Sequence, residues 1–174
     1  MKKLGRIPDG GGKRFDPDFR ETGAGRHVGR GLGHDFVHVA VDDYSRYAYA
    51  EALPDERGDT TAAFMERALT AFQALGVRVE RILTDNGKNY GSHAFAEVAT
   101  AHGVQLRRTR PYRPQTNGKA EAFNKTLQRE WAYVRLYRSN AERLAALPIF
   151  LEEYNGDRPH TALGGLPPLT RICQ

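Results

Sequence analysis

The sequence predicts an α/β fold in which helices pack on a mixed sheet. Three observations predict it. Two short apolar segments, FVHVAV (36–41) and RYAYAEAL (46–53), are joined by Asp42-Asp43-Tyr44-Ser45, the pattern of a hairpin. From residue 60 onward, segments of helical and strand periodicity alternate. The chain has 174 residues, 40% hydrophobic and 27% charged, enough for one domain with its own core. Hairpin strands followed by β-α-β-α alternation require a sheet with both antiparallel and parallel members.

The elements follow in order. Residues 5–33 are poor in apolar side chains and rich in Gly, and read as a long loop inserted after a short first strand, MKKL. FVHVAV is nearly continuous apolar, as in a strand buried on both faces, whereas the Tyr/Ala alternation of 46–53 suits a more exposed strand. Residues 60–75 carry Phe64, Ala68, Phe72 and Leu75 at helical spacing, with Gly76 as the stop. VRVERILTD (77–85) reads as a strand. Residues 92–103 read as a short helix between Ser92 as N-cap and Gly103 as C-cap. VQLRRTRPY (104–112) is a further strand, closed by Pro111 and Pro114. From Lys119, Phe123, Leu127, Trp131 and Val134 form one apolar stripe of a long helix. A last helix spans roughly 140–154, and residues 155–174 form an extended tail. The organisation expected is one domain over residues 1–172.

Several classes are excluded. No run of eighteen apolar residues is present, so no membrane partner is expected. The opening residues lack the apolar core of a secretory signal. A single cysteine, Cys173, leaves no internal disulfide and fits a reducing cytosol. His34 and His38 have no Cys partner and do not make a zinc site. Gly10-Gly11-Gly12 lacks the Lys-Ser/Thr of a phosphate loop, and no Gly-x-Ser-x-Gly elbow occurs.

The net charge is +5, unevenly placed. Residues 105–138 hold nine Lys or Arg and two acids, Glu121 and Glu130. Such a concentration suits a polyanion-binding surface, with a solvated helix face as the competing reading. Within the basic segment, Glu121 lies in the first turn of the long helix. It sits roughly 200° from Phe123 around the axis, and so on the polar side with Lys125 and Gln128. A second acid, Asp85, ends an apolar strand and opens the turn Asp85-Asn86-Gly87. That sequence is good turn chemistry, yet strand ends are also where a rigid scaffold presents ligands. Thirty-five residues separate the two acids.

TDNG (84–87) with PYRPQTNGKAEAFNK (111–125), YNGDRPHTALGGLPP (154–168), VAVDDYSRYAYAEAL (39–53) and KKLGRIPDGGG (2–12) together resemble the catalytic core of retroviral-type integrases and bacterial insertion-sequence transposases. The likeness covers essentially the whole chain. It implies an RNase H-like fold with a mixed five-stranded sheet flanked by helices. It also implies DNA strand transfer, with Asp85 and Glu121 as catalytic carboxylates and ligands of Mg²⁺ or Mn²⁺. In an intact site of this kind two ions about 3.5–4 Å apart serve an in-line phosphoryl displacement. Hard Mg²⁺ favours carboxylate oxygen, water and phosphate.

By the same resemblance Lys125 and Asn117 position a DNA strand, and Tyr112, Arg113, Gln115, Lys119 and Gln128 are further DNA-contact candidates. Transposon ends and target DNA are the implied partners, a homo-oligomer the implied assembly, and the bacterial cytoplasm, next to the nucleoid, the implied location. Arg158 and His160 are read as anchors of the tail.

The family core has a third carboxylate, on its first strand just ahead of the position of Lys2-Lys3. Here the first strand is a stub, so the expectation is an impaired site without that acid. Asp42-Asp43 is read as hairpin chemistry and not as its substitute. No helix-turn-helix module precedes Met1, so DNA binding is expected to be salt-sensitive and weakly sequence-selective. The alternatives are a non-catalytic DNA-binding remnant and an RNase H-like nuclease.

Overall fold

The computed structural model of the chain describes residues 1–11, 32–109 and 118–172. The candidates Tyr112, Arg113, Gln115 and Asn117, most of the Gly-rich segment and Cys173 lie outside the described residues. The elements run β1 (Lys2–Gly5), β2 (His34–Val41), β3 (Ala48–Leu53), α1 (Gly58–Ala74), β4 (Arg81–Thr84), α2 (His93–Ala101), β5 (Gln105–Arg108), α3 (Gly118–Leu127), α4 (Asn140–Ala145), α5 (Leu147–Gly156) and α6 (Leu169–Ile172). All five expected strands are present. Their ladders join them as an antiparallel unit β1-β2-β3 and a parallel pair β4-β5. The two units meet near residue 1: the Met1 amino group is buried, which lowers its pKa, and the nearby Asp85 carboxylate opposes that shift.

The Tyr/Ala alternation of β3 is explained by what covers each face. Ala48 and Ala50 join Leu4, Val37, Phe123, Leu127, Trp131, Phe150 and Tyr154 in one apolar cluster, placing α3 and α5 on that side. Small alanines let those helices approach closely. On the other face Tyr49 and His38 meet Phe64, and Tyr47 meets Phe72, all from α1. Tyr keeps its polar tip wet at the rim while its ring packs. The expectation of a more exposed strand is therefore corrected: helices cover both faces of β3. A second cluster, with Ala62, Met65, Leu69, Phe95, Ala99 and Val104, packs α1 and α2 around Ile82 of β4.

Several boundaries differ from the sequence expectation. Strand β4 is four residues long because its ladder partner among the described residues, β5, is equally short; single hydrogen bonds from Gln105 to Glu80 and from Thr109 to Thr84 extend the pairing at each end. Helices α1 and α2 stop as expected at glycines of positive φ, Gly76 and Gly103. The long helix does not continue to Val134. After Leu127 it widens into a π-turn, Gln128–Ala132, and ends. Burying Trp131 explains why. Its indole N–H donates to the Arg143 carbonyl at 2.8 Å, and its own carbonyl accepts the Tyr137 hydroxyl at 2.7 Å. Val134 consequently leaves the stripe and is 56% exposed. The single helix expected over 140–154 is two, because Pro148 at the start of α5 has no N–H to continue from α4.

The tail is folded back and not simply extended. His160 pairs with Leu166 across a turn that includes a short 3₁₀ segment, Thr161–Leu163. The Asn155 side chain is buried against the outer edge of β3. Its Oδ1 accepts the Ala48 N–H at 2.8 Å and its Nδ2 donates to the Ala48 carbonyl at 2.9 Å. One amide thereby satisfies both backbone groups that an edge strand leaves open.

Candidate active site

Asp85 stands at the C-terminal end of β4, where Thr84 is still buried and Asp85 itself is exposed. The turn after it is tightly braced. Asp85 Oδ1 accepts the Gly87 N–H at 2.9 Å, and Asn86 Nδ2 donates to the Thr109 carbonyl at 3.3 Å, tying the turn to the end of β5. Asn89 Nδ2 donates to Thr61 Oγ1 at 3.1 Å, so the turn also rests on α1. The Tyr90 ring packs edge-on against Phe95 at 5.4 Å. Burial, and secondarily the Asp85 carboxylate, raise the Tyr90 pKa. Turn chemistry and ligand presentation are thus not competing explanations of Asp85-Asn86-Gly87. The turn's hydrogen bonds occupy one carboxylate oxygen; among the described residues the other accepts none.

Glu121 lies in the first turn of α3 and points to solvent, as does Lys125 one turn on. Neither makes a hydrogen bond or ion pair among the described residues. Phe123 and Leu127, both buried, hold this helix on the β1-β2-β3 unit. Gln128 is half-buried, and its amide turns back to the Asn124 carbonyl at 3.1 Å. Lys119 is already engaged: its Nζ donates to the Asp43 carbonyl at 3.2 Å and to the Asp43 carboxylate.

The acids of the β2–β3 hairpin have their own duties. Asp42 Oδ2 accepts from the Ser45 N–H at 2.7 Å and its hydroxyl at 2.6 Å, the hairpin role expected for it. Arg158 and His160 anchor the tail, also as expected. Arg158 binds Glu130 through two bonds of 2.7 and 2.9 Å, and His160 packs edge-on against Tyr154 at 4.7 Å.

The donor chemistry suits a hard divalent cation: exposed carboxylates with free oxygens, set in a basic surround that includes Arg107, Arg108 and Lys88. No group of three or more His, Cys, Asp or Glu suited to holding a metal occurs among the described residues. Asp85 at the end of β4 and Glu121 in the first turn of α3 are exposed carboxylates on separate elements, and no such group includes either of them. Sequence reasoning missed Asp43 as a partner of Lys119, and the support that Asn89 and Tyr90 give the Asp85 turn. The Asn-Tyr pair four residues beyond Asp85 was the available signal for the latter.

An antiparallel β1-β2-β3 unit with helices on both faces, together with the parallel pair β4-β5, is the architecture of an RNase H-like fold. Solved structures agree. A chain in the cryo-EM structure of the simian T-cell lymphotropic virus intasome in complex with PP2A regulatory subunit B56 gamma matches with a TM-score of 0.66 at 24% identity, covering 81% of this chain and 49% of that one. The HTLV-2 integrase catalytic core domain in complex with magnesium, in a trimeric form, matches with a TM-score of 0.64 at 21% identity, covering 80% and 85%.

Two descriptions of the Integrase core domain match the sequence, over residues 26–114 and 102–168. The chain belongs to the integrase core domain family. An uncharacterized protein of Caenorhabditis elegans is 32% identical over 162 residues, 93% of this chain and 12% of that protein. The Gag-Pro-Pol polyprotein of bovine leukemia virus is 32% identical over 124 residues, 71% of this chain and 7% of the polyprotein. The chain thus spans about an eighth or less of the curated relatives it matches. Among the described residues no helix is long and apolar enough to cross a membrane.

Proposed function

We propose that this chain is the catalytic core of a DNA transposase of insertion-sequence type, acting by divalent-metal-dependent strand transfer. The observation that carries the reading is the pair Asp85 and Glu121. Both are exposed, lie on separate rigid elements and leave carboxylate oxygens free, in a chain of the integrase core family. In the proposed reaction a 3′-hydroxyl attacks a phosphodiester; a new P–O bond forms and the old P–O3′ bond breaks.

Asp85 and Glu121 would hold Mg²⁺ or Mn²⁺, which when bound supplies Lewis-acid stabilisation of the phosphoryl oxygens and lowers the pKa of the attacking hydroxyl. The magnesium of the HTLV-2 core supports this choice. The chain's own residues do the rest. The Asp85 turn fixes one carboxylate, α3 carries the other, and Lys125, unpaired among the described residues, offers a cation one helical turn from Glu121. Tyr112, Arg113, Gln115, Asn117 and Gln128 are proposed as further DNA contacts, and a homo-oligomer as the working assembly. The intasome and trimeric forms of the structural relatives support the latter. We place it in the bacterial cytoplasm, next to the nucleoid.

With no group of three or more metal-ligating side chains among the described residues, strand transfer by Asp85 and Glu121 alone is proposed to be impaired. The second reading, a DNA-binding remnant without catalysis, is favoured by the same observation. One experiment separates them. A labelled duplex with a recessed 3′ end is incubated with the protein in Mn²⁺, beside Asp85→Asn and Glu121→Gln variants, with binding followed by anisotropy across a salt series. Transfer products that both substitutions abolish support the enzyme. Salt-sensitive binding with no product at any metal concentration supports the remnant. Binding that is absent at low salt overturns both.

A further inference from the structure

Resting on the active site proposed above, we infer that Asp43 is a positioning residue: the β2–β3 hairpin grips the first turn of α3 through Lys119 and so sets where Glu121 stands. The first turn needs such a hold. Of residues 118–122 none is buried, and the helix first meets the core at Phe123. Terminal turns fray at little cost in free energy unless something outside the helix holds them. Among the described residues, the hydrogen bonds and ion pairs from this turn to another element are those of Lys119 with the Asp43 carbonyl and carboxylate. Glu121 follows two residues later.

The charges support the assignment. A lysine in the first turn opposes the positive end of the helix dipole and needs an anion nearby. Asp43 supplies it from a different element, 76 residues away in sequence.

The base of the clamp is itself rigid. Asp42 locks Ser45 by two hydrogen bonds. Arg46 adopts a left-handed φ of 67°, unusual for a side chain of its size. It is held there by its N–H on the Asp42 carbonyl at 3.0 Å and its guanidinium on the Asp43 carbonyl at 2.5 Å. Arg171 of α6 stacks 4.4 Å from the centre of the Tyr44 ring and braces the tip from outside. Lys119 is accordingly a strut, and Lys125 keeps the DNA-contact role already proposed for it.

The two roles predict opposite effects of Asp43→Asn. If Lys119 were a phosphate contact restrained by Asp43, releasing it would tighten DNA binding. For the strut, releasing it loosens the turn that carries Glu121.

The test compares the chain with its Asp43→Asn and Asp43→Glu variants by hydrogen exchange of residues 122–125, whose amides face the carbonyls of the first turn, Mn²⁺ titration followed by electron paramagnetic resonance, and anisotropy with a duplex oligonucleotide. Asp43→Asn is expected to speed exchange there about two- to fivefold, the range an exposed ion pair supports, and to weaken Mn²⁺ uptake by a similar factor. DNA affinity should hold within about twofold, and Asp43→Glu should restore both other readouts. Unchanged exchange and Mn²⁺ uptake with tighter DNA binding would overturn the strut. If the parent chain takes up no Mn²⁺, the metal reading fails by itself. The exchange comparison then decides alone: faster exchange keeps the strut, and unchanged exchange removes it.

Discussion

Gly87 leaves no room for a side chain between the Asn89 amide, which a Cβ would meet first, and the Asp85 carboxylate. A Cβ at residue 87 would stand 3.0 Å from Asp85 Oδ1, 2.6 Å from Asn89 Oδ1 and 3.2 Å from Tyr90 Cδ2. The backbone there has an ordinary φ of −57°, so space and not conformation demands glycine. Gly87→Ala is therefore expected to displace the Asp85 carboxylate without unfolding the domain. A local overpacking of about 1–2 kcal/mol is expected from the displaced side chains. Urea unfolding should show that modest loss, while Mn²⁺ uptake falls as far as in Asp85→Asn. Undiminished Mn²⁺ uptake in Gly87→Ala would show that the turn does not position the acid.

How much of this was legible in the sequence depends on the range over which each signal acts. The apolar run ending at Asp85, the Ser92 cap, whose hydroxyl accepts the Phe95 N–H at 3.2 Å, and the stripe Phe123–Leu127–Trp131 are local patterns and survive in the structure. The stripe fails at Val134, because Trp131 and Tyr137 divert the backbone carbonyl that the next turn would use. That choice depends on Arg143, twelve residues on. The alternation in β3 gives the two faces of the strand but not what covers them; α1 and α5 are assembled from distant parts of the chain. Most distant is Asp43–Lys119, a surface pair that leaves no periodic trace. The candidate contacts at 112–117 lie outside the described residues, so for that part of the site the sequence alone speaks.

The Asn155 amide predicts a substitution that is small in shape and large in effect. Asn155→Asp keeps the acceptor for the Ala48 N–H but turns the second contact into carboxylate facing carbonyl. The buried position opposes ionisation, so the folded-state pKa of the new acid rises above its unfolded value. A protonated acid can donate to the Ala48 carbonyl; an ionised one cannot. Relative to the parent, the variant should lose about 2–3 kcal/mol at neutral pH, from one unsatisfied carbonyl and a buried charge, and recover part of it near pH 4. Urea unfolding at the two pH values checks this. A deficit independent of pH would mean that the amide's donor role contributes little.

Arg143 offers a test of the polar network that closes the other end of the domain. Its side chain is 2% exposed and donates to the Gly5 carbonyl at 2.9 Å and to Asn140 Oδ1 at 2.8 Å, 3.5 Å from Asp35 Oδ2. Asp35 also takes bonds from Arg6 at 2.9 Å and Asn140 at 2.7 Å. Arg143→Met removes one partner of a buried charge and leaves the Gly5 carbonyl without its donor. A loss of about 3 kcal/mol is expected, the low end for a broken buried pair because Asp35 keeps two other donors. Adding Asp35→Asn should return part of that loss. A double variant less stable than Arg143→Met would show that the remaining donors do need the charge.

The Arg158–Glu130 pair ties the tail to the π-turn that follows α3, and it makes a signed prediction about pH. The guanidinium holds the Glu130 carboxyl below its ordinary range, through its hydrogen bonds first and against some desolvation, while the same bonds raise Arg158. Because the folded-state pKa of Glu130 lies below the unfolded one, the unfolded chain binds more protons than the folded protein as pH falls through this window. The stabilisation is complete above the ordinary glutamate value and is lost as pH drops through the folded-state value. Both side chains are about a third exposed, so solvent screens the pair and its two-point geometry contributes only about 1 kcal/mol. Glu130→Gln should therefore be less stable than the parent by about that amount at pH 7, and equal to it once the parent's carboxyl is protonated, near pH 3. Urea unfolding of both proteins across this range measures the difference directly. A gap that stays constant down to pH 3 would assign the loss to packing of the substituted amide against the tail and not to the ion pair.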